Sequence, residues 1–191
     1  FGKKNLCAMG VCFGFSPNQR TPSENKRGRK VCMSSTEFRN ALGAFTTGVC
    51  LITVNDAHSG ALALTANSFS SLSLEPPLVL WNIQNDSDCF REYTECAHFG
   101  ISILCADQQA LSSAYARKDN HTILEDDFIT DEHGVPLLKR AVARFSCKNF
   151  QLVEAGDHHI VIGEVTAFDA HDESPLLFSR GSYDQLASRS D

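Results

Sequence analysis

Apolar and polar positions alternate through most of this chain with the period of two that marks β-strands. TTGVCLITVN (residues 46–55) reads as a strand, DAHSG as a turn and ALALTAN (61–67) as its hairpin partner. LVLWNI (78–83) and FGISILC (99–105) are further strands. After a charged stretch, AVARFSCKNFQLVEA (141–155), HHIVIGEVTAF (158–168) and LLFSRGSY (176–183) return to the same pattern. Helical spacing is rarer. In SSTEFRNALGAF, Ser34 and Glu37 stand at capping-box distance ahead of Phe38, Leu42 and Phe45. CFREYTECA (89–97) is helix-like, and Asp107 is placed to cap DQQALSSAYA (107–116). Residues 117–136, charged and carrying His, Asn, Gly and Pro, read as a long loop. About six strands and two short helices, with no repeated strand and helix alternation, argue against a parallel sheet. An antiparallel barrel is the economical arrangement, because closure removes exposed edges.

One segment interrupts the alternation. TANSFSSLSLEPP, from Thr65 to Pro77, places five hydroxyl side chains and an amide within nine residues at the end of a strand. A hydrophobic core has no use for them. Held between two strands, hydroxyls, an amide and free backbone N–H groups suit a multi-oxygen ligand such as a phosphate, a ribityl chain or a heteroaromatic ring. The competing reading is a Ser-rich surface loop.

With 191 residues the chain has room for one domain with a sizeable core, and its 42% hydrophobic and 21% charged residues are globular values. No apolar run approaches bilayer length. Charge is unevenly placed. Residues 1–32 carry seven Lys or Arg against Glu24, a net of +6, which leaves −12 on the rest of a chain whose total is −6. An acidic body argues against nucleic acid as partner. Residues 1–33 read as a basic tail outside the fold, either a targeting segment for a plastid or mitochondrion or an extension ahead of a start at Met33. Residues 34–191 form the expected domain. The eight cysteines include no CxxC pair and no zinc-type spacing with histidine, which disfavours a metal and indicates a reduced, intracellular protein, cytoplasmic unless the tail directs it to an organelle.

Common catalytic motifs are missing: no GxGxxG opens a helix, no GxxxxGK[ST] occurs, and no GxSxG marks a nucleophile elbow. His158 and His159 adjoin at a strand start, so they point to opposite faces and only one can serve a site. Gly156 and Asp157 before them are ordinary hairpin chemistry.

Six segments in register resemble the flavin reductase-like family of split-barrel reductases, the small components of two-component flavin-dependent monooxygenases. They are FRNALGAFTTGVCLIT, TANSFSSLSLEPPLVL, DQQALSSAYA, GVPLL (134–138), GDHHIVIGEV and PLLFSRGSY. The resemblance implies a mainly β, six-stranded antiparallel split barrel of Greek-key type with short flanking helices, working as a homodimer. It implies FMN or FAD as flavin, NADH or NADPH as co-substrate, and a partner monooxygenase as recipient of reduced flavin. By the same similarity Thr65, Asn67, Ser68, Phe69, Ser70, Ser71 and Ser73 would hold the flavin, with Asn85 and Ser87 toward its phosphate or ribityl chain. Asp157 and His158 would meet the nicotinamide nucleotide, and Arg180 and Tyr183 would close that pocket. The chain departs from the family pattern at Cys89, where a second hydroxyl is common, and at Asp126 and Asp127 ahead of Phe128, where Asp-Lys-Phe is common. Both changes weaken phosphate binding unless Arg117 or Lys118 compensates. The alternatives are a flavin-binding protein of this fold without turnover, and a barrel used only for dimerisation.

Overall fold

The structure, a computed structural model, describes residues 34–123 and 125–187, so the expected tail over residues 1–33 lies outside the described residues. Along the chain come α1 (Ser35–Leu42), β1 (Thr47–Gly48), β2 (Cys50–Asp56), β3 (Gly60–Ala66), β4 (Ser70–Leu74) and β5 (Pro77–Gln84). Next are α2 (Phe90–Thr94), β6 (His98–Ile103), α3 (Gln109–Tyr115) and a 3-10 turn, Glu125–Asp127. The chain ends with β7 (Phe128–Thr130), β8 (Pro136–Leu138), β9 (Ala143–Ala155), β10 (His158–Ala170), β11 (Leu176–Ser179) and β12 (Ser182–Gln185).

Seven strands form one antiparallel sheet in the order β3-β2-β6-β9-β10-β5-β4. Its two edge strands, β3 and β4, are consecutive in sequence and separated only by Asn67, Ser68 and Phe69. Counted as one bent strand they make the six of the expected split barrel. The bend is tied to β5, where the Asn82 amide N–H donates to Ser68 Oγ at 2.9 Å. The outer edge of β3 is covered as well, because Ala63 N donates to His121 O and Ile123 N to Ala61 O.

Alternate residues of β2 feed two cores. Cys50, Ile52 and Val54 point into the barrel with Trp81, Phe99, Ile101 and Val161. Val49, at the strand's start, and Leu51 point outward, under α3, β8 and β11, with Leu104, Tyr115, Leu138 and Leu176. With both faces buried, VCLITV is apolar but for Thr53, whose hydroxyl donates to Pro136 O. Trp81 sits at the barrel centre, edge-on to Tyr93 and Phe99 at ring separations of 5.5 and 6.2 Å.

Several boundaries differ from expectation. Ser34 does cap α1, its hydroxyl accepting from Glu37 N at 3.1 Å. Asp107 does not cap α3: its carboxylate takes Arg140 Nη1 at 2.7 Å, and the helix starts after Gln108 with no side-chain cap. The strand expected over 46–55 is broken at Val49, since Thr47 and Gly48 leave the barrel to pair with β11. LLFSRGSY is a hairpin, not one strand, because Arg180 and Gly181 at φ 49° and 82° turn the chain. The loop expected over 117–136 contains β7, which pairs with β8. The Ser-rich segment, expected as a connection, forms β4 from Ser70 onward and pairs with β5.

Gly163 lies where β10 passes the barrel core. A Cβ there would fall 2.4 Å from Cζ of the fully buried Phe99. Gly163→Ala is expected to lower stability by about 1–3 kcal/mol through overpacking, read as an earlier urea midpoint; a wild-type midpoint would mean that the Phe99 ring yields.

Candidate functional site

β5 carries the site's backbone: the bend meets it at Asn82, and a tight turn is held at Asn85, three residues on. At the bend, Ser68 is half-buried and bonded to Asn82, and Phe69 leans on Phe145 with ring centroids 5.8 Å apart. Phe69 also lines a cavity of about 50 Å³ with Gly48, Val49, Cys50 and Ile103. Asn67 is half-buried. Ser70 and Ser71 lie exposed on the edge strand β4, while Ser73 Oγ accepts from Glu75 N at 3.2 Å. Thr65 is fully buried and its hydroxyl donates to Ser112 O at 2.7 Å, so its contribution is to seat α3 against β3.

Two buried polar atoms in this region lack a hydrogen-bond partner among the described residues: Asn82 Oδ1, on the strand that ties the bend, and Thr47 Oγ1, next to Gly48 of the cavity that Phe69 lines. Each costs free energy unless something meets it. Neither was anticipated, although an Asn inside the apolar run LVLWNI is a signal in its own right.

Just past the same end of β5, Asn85 clamps the turn between β9 and β10. Its backbone N donates to Asp157 O at 3.0 Å, its Nδ2 donates to Gly156 O at 3.3 Å, and its Oδ1 meets His159 Nδ1 at 2.8 Å. The expected turn is present, with Gly156 at φ 68°. The two histidines part as alternation requires: His159 packs on Phe90 at 5.0 Å, and His158 Nδ1 pairs with Asp157 Oδ1 at 2.7 Å.

Ser87, half-buried, stands beside Cys89, with Oγ and Sγ 3.5 Å apart. Burial pushes the Cys89 thiol up to about 11, so it is protonated at neutral pH and a weak donor. Between them, burial acts to raise the Asp88 carboxyl. The amide of Asp119, at 2.6 Å, and His121, at 3.0 Å, outweigh burial and hold it below the usual carboxylate range. Asp88 thereby grips the turn after α3 that bears Arg117 and Lys118, both exposed. Asp126 and Asp127 lie elsewhere, their carbonyls accepting from Lys139 Nζ and Lys139 N.

Arg180 and Tyr183 belong to the small sheet, not to β10. Arg180 N donates to Gly43 O at 2.7 Å, tying the hairpin to the end of α1. Tyr183 OH lies 2.9 Å from Ser112 Oγ and 3.3 Å from Ser113 Oγ, on the helix that Thr65 seats. This hairpin thus neighbours the bend through β1 and α3, whereas Asp157 and His158 stand on the turn at the C-terminal end of β5.

Fold and site together define a small antiparallel barrel that presents polar groups where the barrel is split. Residues 42–187 match the family model of the flavin reductase like domain, and the chain belongs to that family. It is 41% identical over 155 residues to the FMN reductase (NADH) SmoA of Agrobacterium fabrum (strain C58), a match that takes in 81% of this chain and 87% of that protein. Among solved structures, the flavin reductase PheA2 in its native state superposes with a TM-score of 0.75 at 37% identity, over 82% of this chain and 100% of that one. The NADH:FAD oxidoreductase SgcE6 of Streptomyces globisporus C-1027, in complex with NAD and FAD fragments, gives 0.77 at 34% identity, over 82% and 94%. Other relatives are longer, and the chain spans 47% of the length of two of them.

Asn85→Ala removes two side-chain bonds from the turn at Gly156. Amide hydrogen exchange at Asp157 and His158 is expected to quicken by about tenfold or more; unchanged exchange would mean that the clamp is idle.

Proposed function

We propose that this protein is an NADH-dependent flavin reductase that reduces FMN or FAD and releases it to a partner monooxygenase. The observation that carries the reading is the split itself. A Ser-rich bend meets β5 at Asn82, beside an unpartnered buried oxygen, three residues before Asn85 takes hold of a histidine turn, on a barrel of the reductase family. The residues fit a flavin: Asn82 Oδ1 and Thr47 Oγ1 suit the polar edge of a fused ring, and Asn67, Ser70 and Ser71 offer an amide and hydroxyls for the ring and ribityl chain. Phe69 gives an apolar surface. Thr65 acts through α3, and Ser68 through its hold on Asn82.

Bound flavin supplies the chemistry, accepting a hydride from the reduced nicotinamide with no obligatory acid or base from the protein. The chain's own work is placement, which suits a site without a triad. Asp157 orients His158, and Asn85 fixes the turn that carries both. Ser87 is the hydroxyl on hand at the phosphate end, and the weak donor Cys89 beside it leaves cationic help to Arg117 and Lys118.

The same reading includes a homodimer. α1 buries none of its residues within one chain, leaving Phe38 and Leu42 exposed, and Phe45, Leu72, Leu74 and Phe168 are exposed as well. An apolar stripe of this kind is expected to meet a second copy. Light scattering should give twice the 21.0 kDa of one chain.

Anaerobic mixing with NADH and either flavin is expected to bleach the visible band of the oxidised flavin. Binding without bleaching would reduce the protein to a flavin carrier. His158→Ala is expected to raise KM for NADH by about 3- to 10-fold, the worth of one hydrogen bond, with the flavin Kd nearly unchanged; the reverse pattern would move His158 to the flavin.

A further inference from the structure

Asp88 and Cys89, ahead of α2, meet His121 from the chain after α3, and one ligand atom from each lies within 4.8 Å of the other two. Cys89 and His121 are buried, at 4% and 9% exposure. The His121 ring is fixed between two oxygens, with Nδ1 3.2 Å from Ala63 O and Nε2 3.0 Å from Asp88 Oδ1. A neutral imidazole has a single N–H. One hydrogen cannot serve both oxygens, so in either tautomer a ring lone pair faces an oxygen, Asp88 Oδ1 or Ala63 O, and a positive charge at the Nε2 side relieves the clash. A proton would make an ion pair, in which the neighbouring thiol has no part. A metal ion would use all three groups.

We propose that Asp88, Cys89 and His121 form a binding site for a borderline-soft divalent cation of the Zn²⁺ class, with a fourth position left for water or a ligand. One nitrogen, one sulfur and one oxygen select such an ion over Mg²⁺ or Ca²⁺, which take oxygen donors. The Ala63 carbonyl on Nδ1 is the outer support that fixes the tautomer and aims Nε2. Ligands at about 2.0–2.3 Å from the ion stand roughly 3.3–3.8 Å apart in a tetrahedron, so the Cys89 thiol must close by up to about 1 Å while the 3.0 Å pair of Asp88 and His121 opens slightly. On binding, the thiol proton leaves to solvent, and the thiolate and carboxylate balance the two positive charges. The ion would lock the turn bearing Arg117 and Lys118 onto the Asn85–Cys89 segment, and would place positive charge beside Ser87, where Asp86 and Asp88 otherwise leave it negative. The site is independent of hydride transfer.

The test is titration of the whole chain, freed of flavin and metal, with Co²⁺ and then Zn²⁺. One equivalent of Co²⁺ is expected to give a thiolate-to-cobalt charge-transfer band in the near ultraviolet, displaced by Zn²⁺. Cys89→Ala is expected to abolish the band and weaken Zn²⁺ binding by about 100-fold or more, while Cys50→Ala, at a buried cysteine outside the cluster, leaves both unchanged. Cys89 carries the test because its side-chain hydrogen bond is the weak one to Ser87, so its loss should spare the fold, as circular dichroism can verify. No band in the parent protein, or a band that survives Cys89→Ala, would overturn the site. Neither result touches the flavin reading, because no step of the titration depends on flavin reduction.

Discussion

Closure of the barrel between β3 and β4 is the constraint on which the rest depends. The first and last strands of the large sheet are neighbours in sequence, so three residues must carry the chain from one edge to the other. Asn82 lies beyond the start of β4, which opens at Ser70 opposite Leu80, and its amide finds Ser68 Oγ in place of a strand partner. A buried N–H left unpaired here would cost on the order of 1–3 kcal/mol. The polar character of Asn67–Ser71 therefore has a structural cause before it has a functional one. Where strands part, backbone and side-chain groups remain to be matched, and the unpartnered oxygen of Asn82 is the residue of that mismatch. Unmatched polar groups at this place follow from the way the barrel is split.

The barrel strands were legible because their information is local. Alternation is a period of two within one strand, the Ser34 cap acts across three residues, and the turn at Gly156 joins adjacent strands. What escaped depends on partners far along the chain. β2 stops short of Thr47 because β1 is drawn to Phe178 and Leu177. Asp107 fails as a cap because Arg140, 33 residues away, offers a charged partner stronger than a helix amide. The turn in LLFSRGSY was hidden because Arg180, and not the usual Asn or Gly, occupies a left-handed position.

The site divides along the same line. A cluster of hydroxyls at a strand end is visible in any single chain, and the segment from Thr65 to Ser73 stood out for that reason. How each hydroxyl is used could not be seen, since Thr65 bonds to a carbonyl 47 residues on and Asn85 to a turn 71 residues on. Side chains that look alike in sequence thus separate into groups that build the site, such as Thr65, Ser68 and Asn85, and groups left open in it, such as Asn67, Ser70 and Ser71.

The segment from Asn85 to Cys89, proposed for the flavin phosphate, shows how one departure from the family pattern redistributes work. A hydroxyl at position 89 would have been a donor; the buried, protonated thiol of Cys89 is a weak one. Asp88 compounds the loss, because Asp119 N and His121 keep it ionised beside the place where an anion would lie. Those two contacts also bring the turn after α3, with Arg117 and Lys118, against the same segment. Negative charge on Asp88 is therefore what recruits positive charge from elsewhere. Asp126 and Asp127 take no part, since their carbonyls serve Lys139. If this end of the groove is to hold a phosphate, the cation must come through the Asp88 grip, whether as a side chain on the turn or as an ion among Asp88, Cys89 and His121.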